Sequence, residues 1–135
     1  MAQRNFPPHF IVKTGIHGLG VFSKDSFKPG DSLFRMKGEL LKSPTRTSVQ
    51  IGDNLHIEDE LAGFINHSCV PNAIIDKETH SFVALKDIAP EDEIVFDYNM
   101  NEDILASPFV CECCERKIMG KKTKNVKQKE RVLRE

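Results

Sequence analysis

Tryptophan is absent from the 135 residues, tyrosine occurs once and cysteine four times. Each scarcity limits the chemistry open to the chain. Any function that needs a phenol falls on Tyr98. No apolar run approaches the ~20 residues a membrane-spanning helix needs. The opening MAQRNFPPHF lacks the apolar core of a secretory signal. The expectation is an intracellular, soluble protein, cytoplasmic or nuclear, with no membrane partner. In a reducing compartment, four cysteines point to metal ligands, reactive thiols or core fillers rather than disulfides.

Charge is abundant but divided. Residues 1–115 hold 10 Lys and Arg against 18 Asp and Glu, whereas residues 116–135 hold 9 against 2. An acidic body attracts basic ligands; the basic end touches nucleic acid or serves as a solvated tail. The chain length suits one core. Short β-type runs (HFIVKT, GVFS, SLFRM, TSVQI, NLHI, NAIID, HSFVAL, DEIVFDY) alternate with turn residues, and TSVQI with NLHI reads as a hairpin across GDN. Only EDELAGFI suggests a helical turn. The expected fold class is mainly β.

Three stretches depart from ordinary β filler. GIHGLGVF places Gly15, Gly18 and Gly20 at spacings unlike a dinucleotide fingerprint, so what remains is a tight turn or backbone able to approach a ligand. FINHSCVPNA sets Asn66, His67, Ser68 and Asn72 between apolar residues, where buried amides and imidazoles need partners. EIVFDY is an alternating strand ending in Phe96, Asp97 and Tyr98. Beyond them, FVCECC gathers Cys111, Cys113 and Cys114.

Together and in this order, GLGVF, NHSCVPN, EIVFDY and FVCECC resemble the SET-domain protein lysine methyltransferases, in the small standalone form with a post-SET-like cysteine cluster. The resemblance implies a β-clip fold of several small sheets with a C-terminal pseudoknot. It divides the chain into a SET domain at 1–110, a cysteine segment at 111–120 and a basic tail, flexible or partly helical, at 121–135. It also implies S-adenosylmethionine as methyl donor, contacted by Gly18, Leu19, Gly20, Asn66 and His67. Tyr98 takes the catalytic role; Phe96 and Phe109 border the substrate lysine. The implied substrate is a Lys-rich protein, a histone tail foremost, and nucleic acid enters only through the tail. Phe96, rather than tyrosine, favours di- or trimethylation.

The family's zinc site takes three cysteines spaced C-x-C-x4-C and one from the central motif. Here that implies Cys69, Cys111 and Cys113. The fourth position falls on Ile118 without a gap, with Gly120 close behind, or on Cys114 if four residues are deleted. Two readings of other classes stay open: a catalytically silent SET-fold scaffold, and a zinc-binding interaction module.

Overall fold

The structure is a computed structural model that describes residues 7–16, 18–106, 108–110 and 117–120. Twelve short strands dominate these residues. β1 (Phe10–Gly15) and β2 (Gly18–Ser23) pair antiparallel in full register from Phe10↔Ser23 to Gly15↔Gly18. β3 (Ser32–Arg35) pairs with β9 (Ser81–Ala84), which pairs with β8 (Ala73–Asp76). β4 (Glu39–Leu41), β6 (Leu55–Glu58) and β5 (Val49–Gly52) make a third sheet. The β5–β6 hairpin turns across Asp53 and Asn54, and Asn54 takes φ +53°, a left-handed conformation that asparagine tolerates better than most residues.

The first sheet carries the crossing that positions the site. β10 (Glu93–Phe96) lies antiparallel to β2 and parallel to the two-residue β7 (Asn66–His67), with Val95 opposite Asn66 and Phe96 opposite His67. Asn72 extends this edge with its side chain. It donates to the Glu93 carbonyl at 2.8 Å and accepts the Val95 N–H at 2.9 Å, as a neighbouring strand would. The buried amide of Asn72 thus satisfies itself on β10, which helps bring the central motif and the C-terminal motif together.

One core joins the sheets. Phe82 is 0 % exposed, stacks on Phe34 at 5.1 Å between centroids and meets Phe96 edge-on at 5.2 Å, alongside Val21, Ile65, Ile75 and Ile94. Alternation explains this: in β10, Ile94 and Phe96 face inward while Glu93 and Val95 are only half-buried.

One feature differs from the sequence expectation. The strand stops at Phe96, and Tyr98 begins a helical turn, α1 (Tyr98–Asn101). The Asp97 side chain caps it, accepting from the N–H groups of Asn99 and Met100. The helical turn expected in EDELAGFI is present as a 3-10 turn, Ala62–Phe64. After α1, Glu102 is 2 % exposed, and its carboxylate accepts from the Gln50 N–H at 2.8 Å and from the Asn101 amide at 2.5 Å.

Burial pushes the Glu102 carboxyl above its ordinary range against the opposing pull of these hydrogen bonds. The folded state therefore keeps this proton to higher pH than the unfolded chain does. The associated stability is complete below the unfolded value of about 4.5 and declines as pH rises toward the raised folded value. Melting temperatures measured from pH 4.5 towards neutrality should fall less steeply for Glu102→Gln than for the wild type.

β11 (Phe109–Val110) and β12 (Lys117–Ile118) close the fold as an antiparallel pair, with Phe109 opposite Ile118. Ile118 is 0 % exposed. The proposed ligands Cys111, Cys113 and Cys114, and the tail 121–135, lie outside the described residues.

Candidate active site

The glycine motif spans the short connection between β1, which ends at Gly15, and β2, which opens at Gly18, in agreement with the turn expected there. Gly18, at φ +84°, opens β2 in a conformation that only glycine adopts without strain. At Gly20 the reason is space: a Cβ there would lie 2.4 Å from Glu93 Oε2 and 3.0 Å from Asn66 Nδ2. Those two groups are themselves joined, since Asn66 Nδ2 donates to Glu93 Oε2 at 2.8 Å and to the Leu19 carbonyl at 3.0 Å. Both amide protons of Asn66 are therefore spent tying β2 to β10, and only its backbone and Oδ1 remain to meet a ligand.

His67 is turned inward in the same way. Its side chain is 2 % exposed, its Nδ1 accepts the Tyr98 N–H at 3.0 Å, and its Nε2 lies 3.4 Å from Cys69 Sγ. An Nδ1 that accepts a backbone N–H leaves the proton on Nε2, so Asp97, 3.8 Å from Nδ1, is a neighbour rather than an ion-pair partner.

Tyr98 sits at the centre. Its hydroxyl donates to the Ile65 carbonyl at 2.5 Å. Its ring meets Phe96 at 4.7 Å, His67 at 5.3 Å and Phe109 at 5.9 Å between centroids. Burial, reinforced by the negative charges of Glu102 and Glu93, pushes the phenol well above its ordinary value of 10.0. It is a protonated donor throughout the physiological range and cannot serve as a general base there.

These residues wall a cavity of about 720 Å³, bounded by Leu19, Asn66, His67, Tyr98, Phe109 and the Thr45–Thr47 loop. That volume is in the range of small-molecule and cofactor sites, about 300–1,000 Å³. Leu19 and Phe109 are 52 % and 37 % exposed and offer apolar surface to an occupant. Phe96 does not line the cavity. It is 4 % exposed behind Tyr98, and the two share a separate void of about 20 Å³.

Sequence reading missed the loop residues Thr45, Arg46 and Thr47, as well as Glu93, Asn99 and Glu102. Glu93 stood inside a quoted motif, where strand alternation alone set it opposite the core face of Ile94 and Phe96. The loop carried no comparable signal, because only the packing of the 3-10 turn against it brings it to the cavity, Gly63 approaching Thr47 closely.

A family model for the SET domain matches residues 18–99. Among curated proteins, the chain is 31 % identical over 125 residues to the histone-lysine N-methyltransferase TRX1 of Oryza sativa subsp. japonica, covering 73 % of this chain and 12 % of that protein. It is 30 % identical over 127 residues to the histone H3-lysine(4) N-trimethyltransferase ATX1 of Arabidopsis thaliana, covering 75 % of this chain and 12 % of that one. To the H3 lysine-36 specific histone-lysine N-methyltransferase of Saccharomyces cerevisiae it is 27 % identical over 143 residues, covering 87 % of this chain and 19 % of that protein. Among solved structures, KRYPTONITE in complex with mCHH DNA, an H3(1-15) peptide and SAH superposes with a TM-score of 0.63 at 20 % identity, covering 79 % of this chain and 29 % of that one. The likeness to KRYPTONITE is one of fold. The chain thus spans only a small fraction of the length of these relatives.

Proposed function

The chain belongs to the SET-domain family, and from that premise we propose that it transfers a methyl group from S-adenosylmethionine to the side-chain amine of a lysine in a basic protein. The observation that carries this reading is Tyr98: a half-buried, protonated phenol held at the Ile65 carbonyl on the wall of a cofactor-sized cavity. A cofactor fits the residues present. Of the glycine motif Leu19 lies on the lining and offers an apolar side chain, whereas Gly18 and Gly20 are not on it; Asn66 and His67 offer backbone, and Arg46 places a cation on the lining where a ligand carboxylate would be met.

When bound, S-adenosylmethionine supplies a methyl group activated by the positive charge of its sulfonium. The chain's own task is to present a neutral amine in line with it. With a lysine pKa of about 10.4, roughly one side chain in a thousand is neutral near pH 7.4. The Phe109 and Tyr98 rings exclude water around the amine, which disfavours the ammonium form and lets its proton leave to solvent. The Tyr98 oxygen, fixed by its donation to Ile65, keeps its lone pairs toward the amine and orients it; positioning then supplies much of the acceleration.

Charge favours a basic substrate. An acidic hollow of about 270 Å³ formed by Glu58, Asp59 and Glu60 adjoins the cavity through the shared residues Thr47, Gly63 and Phe64. The relatives that carry the names of histone methyltransferases make a histone tail the leading substrate of this reading. Incubation with labelled S-adenosylmethionine and a histone-containing basic protein mixture should label protein. Cofactor binding without transfer would instead identify a catalytically silent SET fold.

Phe96 bears on how many methyl groups are added. The void it shares with Tyr98, about 20 Å³, has room for about one water molecule. A hydroxyl introduced there consumes that room and restrains a methylated amine from turning. Phe96→Tyr is expected to shift products from di- and trimethyl-lysine toward monomethyl-lysine, read by mass spectrometry of the labelled protein.

Zinc belongs to the same reading only at its edge. Cys69 stands beside His67, whose ring meets Phe109 at 5.7 Å, two residues before Cys111. The position the ungapped family spacing assigns to a third cysteine of the segment is the buried Ile118, which has no metal donor. No step here is routed through a metal.

A further inference from the structure

Resting on the methyl-transfer reading, we propose that Asn99 is a positioning residue: its side-chain carbonyl seats the end of segment 117–120, just after β12, and, through β12, holds Phe109 against Tyr98. Asn99 is 5 % exposed, and its Oδ1 accepts two backbone protons from residues 20 and 21 positions away, Met119 N–H at 3.1 Å and Gly120 N–H at 2.9 Å. Its own backbone is fixed relative to Tyr98, because Asp97 Oδ1 accepts the Asn99 N–H at 2.9 Å. The strand is gripped from the other side as well. Leu105 N–H donates to the Met119 carbonyl at 2.9 Å, and Gly120, at φ +106°, packs so closely that a Cβ would lie 2.5 Å from the Asp103 carbonyl oxygen.

Ile118, wholly buried, then stands opposite Phe109 in the β11–β12 ladder. Phe109 is thereby set 5.9 Å from Tyr98 and 5.7 Å from His67 between centroids. The path runs from the Asp97 cap to Asn99, to β12, to β11 and to the aromatic wall.

The Asn99 Nδ2 is buried with no hydrogen-bond partner among the described residues. An unpaired buried donor is costly. A leucine or alanine would avoid that cost, so the residue's contribution resides in its carbonyl. This predicts which substitution rescues: Asn99→Asp keeps an oxygen that accepts both N–H groups, whether or not the carboxyl is ionised.

The test uses the full chain. Tyr98 is the only tyrosine and there is no tryptophan, so tyrosine fluorescence reports the site directly. Acrylamide quenching and calorimetric S-adenosylmethionine binding are compared for wild type, Asn99→Ala and Asn99→Asp, with far-UV circular dichroism confirming the fold. Asn99→Ala should increase quenching and weaken cofactor binding about tenfold, as loss of two buried hydrogen bonds implies. Asn99→Asp should keep both near wild type. Equal impairment of the two variants, or wild-type behaviour of Asn99→Ala, overturns the assignment. If Asn99→Ala does not fold, Gly120→Ala displaces the same strand from the Asp103 side, and unchanged quenching in that variant overturns it equally. A wild type that fails to bind S-adenosylmethionine defeats the methyl-transfer reading instead, while the quenching comparison still decides the role of Asn99.

Discussion

Tyr98→Phe is expected to lower the rate of methyl transfer by about 10²–10³-fold, the usual consequence of removing one preorganised polar group from a reacting centre. The ring contacts to Phe96, His67 and Phe109 survive the change, because they are made by carbon atoms. What disappears is the oxygen held by the Ile65 carbonyl, and with it the group that orients the amine. S-adenosylmethionine should bind the variant with little loss, since the cofactor contacts proposed above come from Leu19, Asn66, His67 and Arg46. Single-turnover assays with labelled cofactor separate the two effects: full transfer activity in Tyr98→Phe would sink the assignment, and loss of cofactor binding would show that the phenol serves the pocket instead. Because the phenol's ionisation lies well above its ordinary range, no step in the rate-versus-pH profile between neutrality and mild alkali should belong to Tyr98.

Phe82→Ala is expected to have the largest effect on stability. Phe82 is completely buried, in the central strand of its sheet, with ring partners Phe34 and Phe96. Truncating such a ring costs about 3–5 kcal/mol in lost burial and cavity formation, against a total of only about 5–15 kcal/mol for a typical domain. The urea midpoint should fall accordingly. The effect reaches the site, because Phe96 packs between Phe82 and Tyr98, at 5.2 and 4.7 Å between centroids. Where the variant remains folded, tyrosine quenching should rise. A midpoint close to wild type would show that the core relaxes into the cavity and that Phe96 does not depend on Phe82.

Most strands were legible because their alternation is local. β8, β9 and β10 fall within NAIID, HSFVAL and DEIVFDY, and the β5–β6 hairpin turns where GDN foretold. The end of β10 was not legible, because Asp97 works as a helix cap only once Asn99 and Met100 turn their N–H groups back onto it. Likewise the short β4 (Glu39–Leu41) exists through its ladder with β6 rather than through its own pattern.

The amino-acid order by itself determined the strand-rich class, the identity of the one phenol and the grouping of Gly18 to Gly20, Asn66, His67 and Phe96 to Tyr98 as residues of one family pattern. Side-chain type and short-range spacing carry that information, since they depend on chemistry and on the two-residue period of a strand. The tertiary structure alone decided what those residues do for one another. The parallel pairing of β10 with β7 spends the amide protons of Asn66, turns the His67 ring inward and brings the Ile65 carbonyl to the Tyr98 hydroxyl. These contacts join residues dozens of positions apart, and their existence depends on burial that no local stretch possesses.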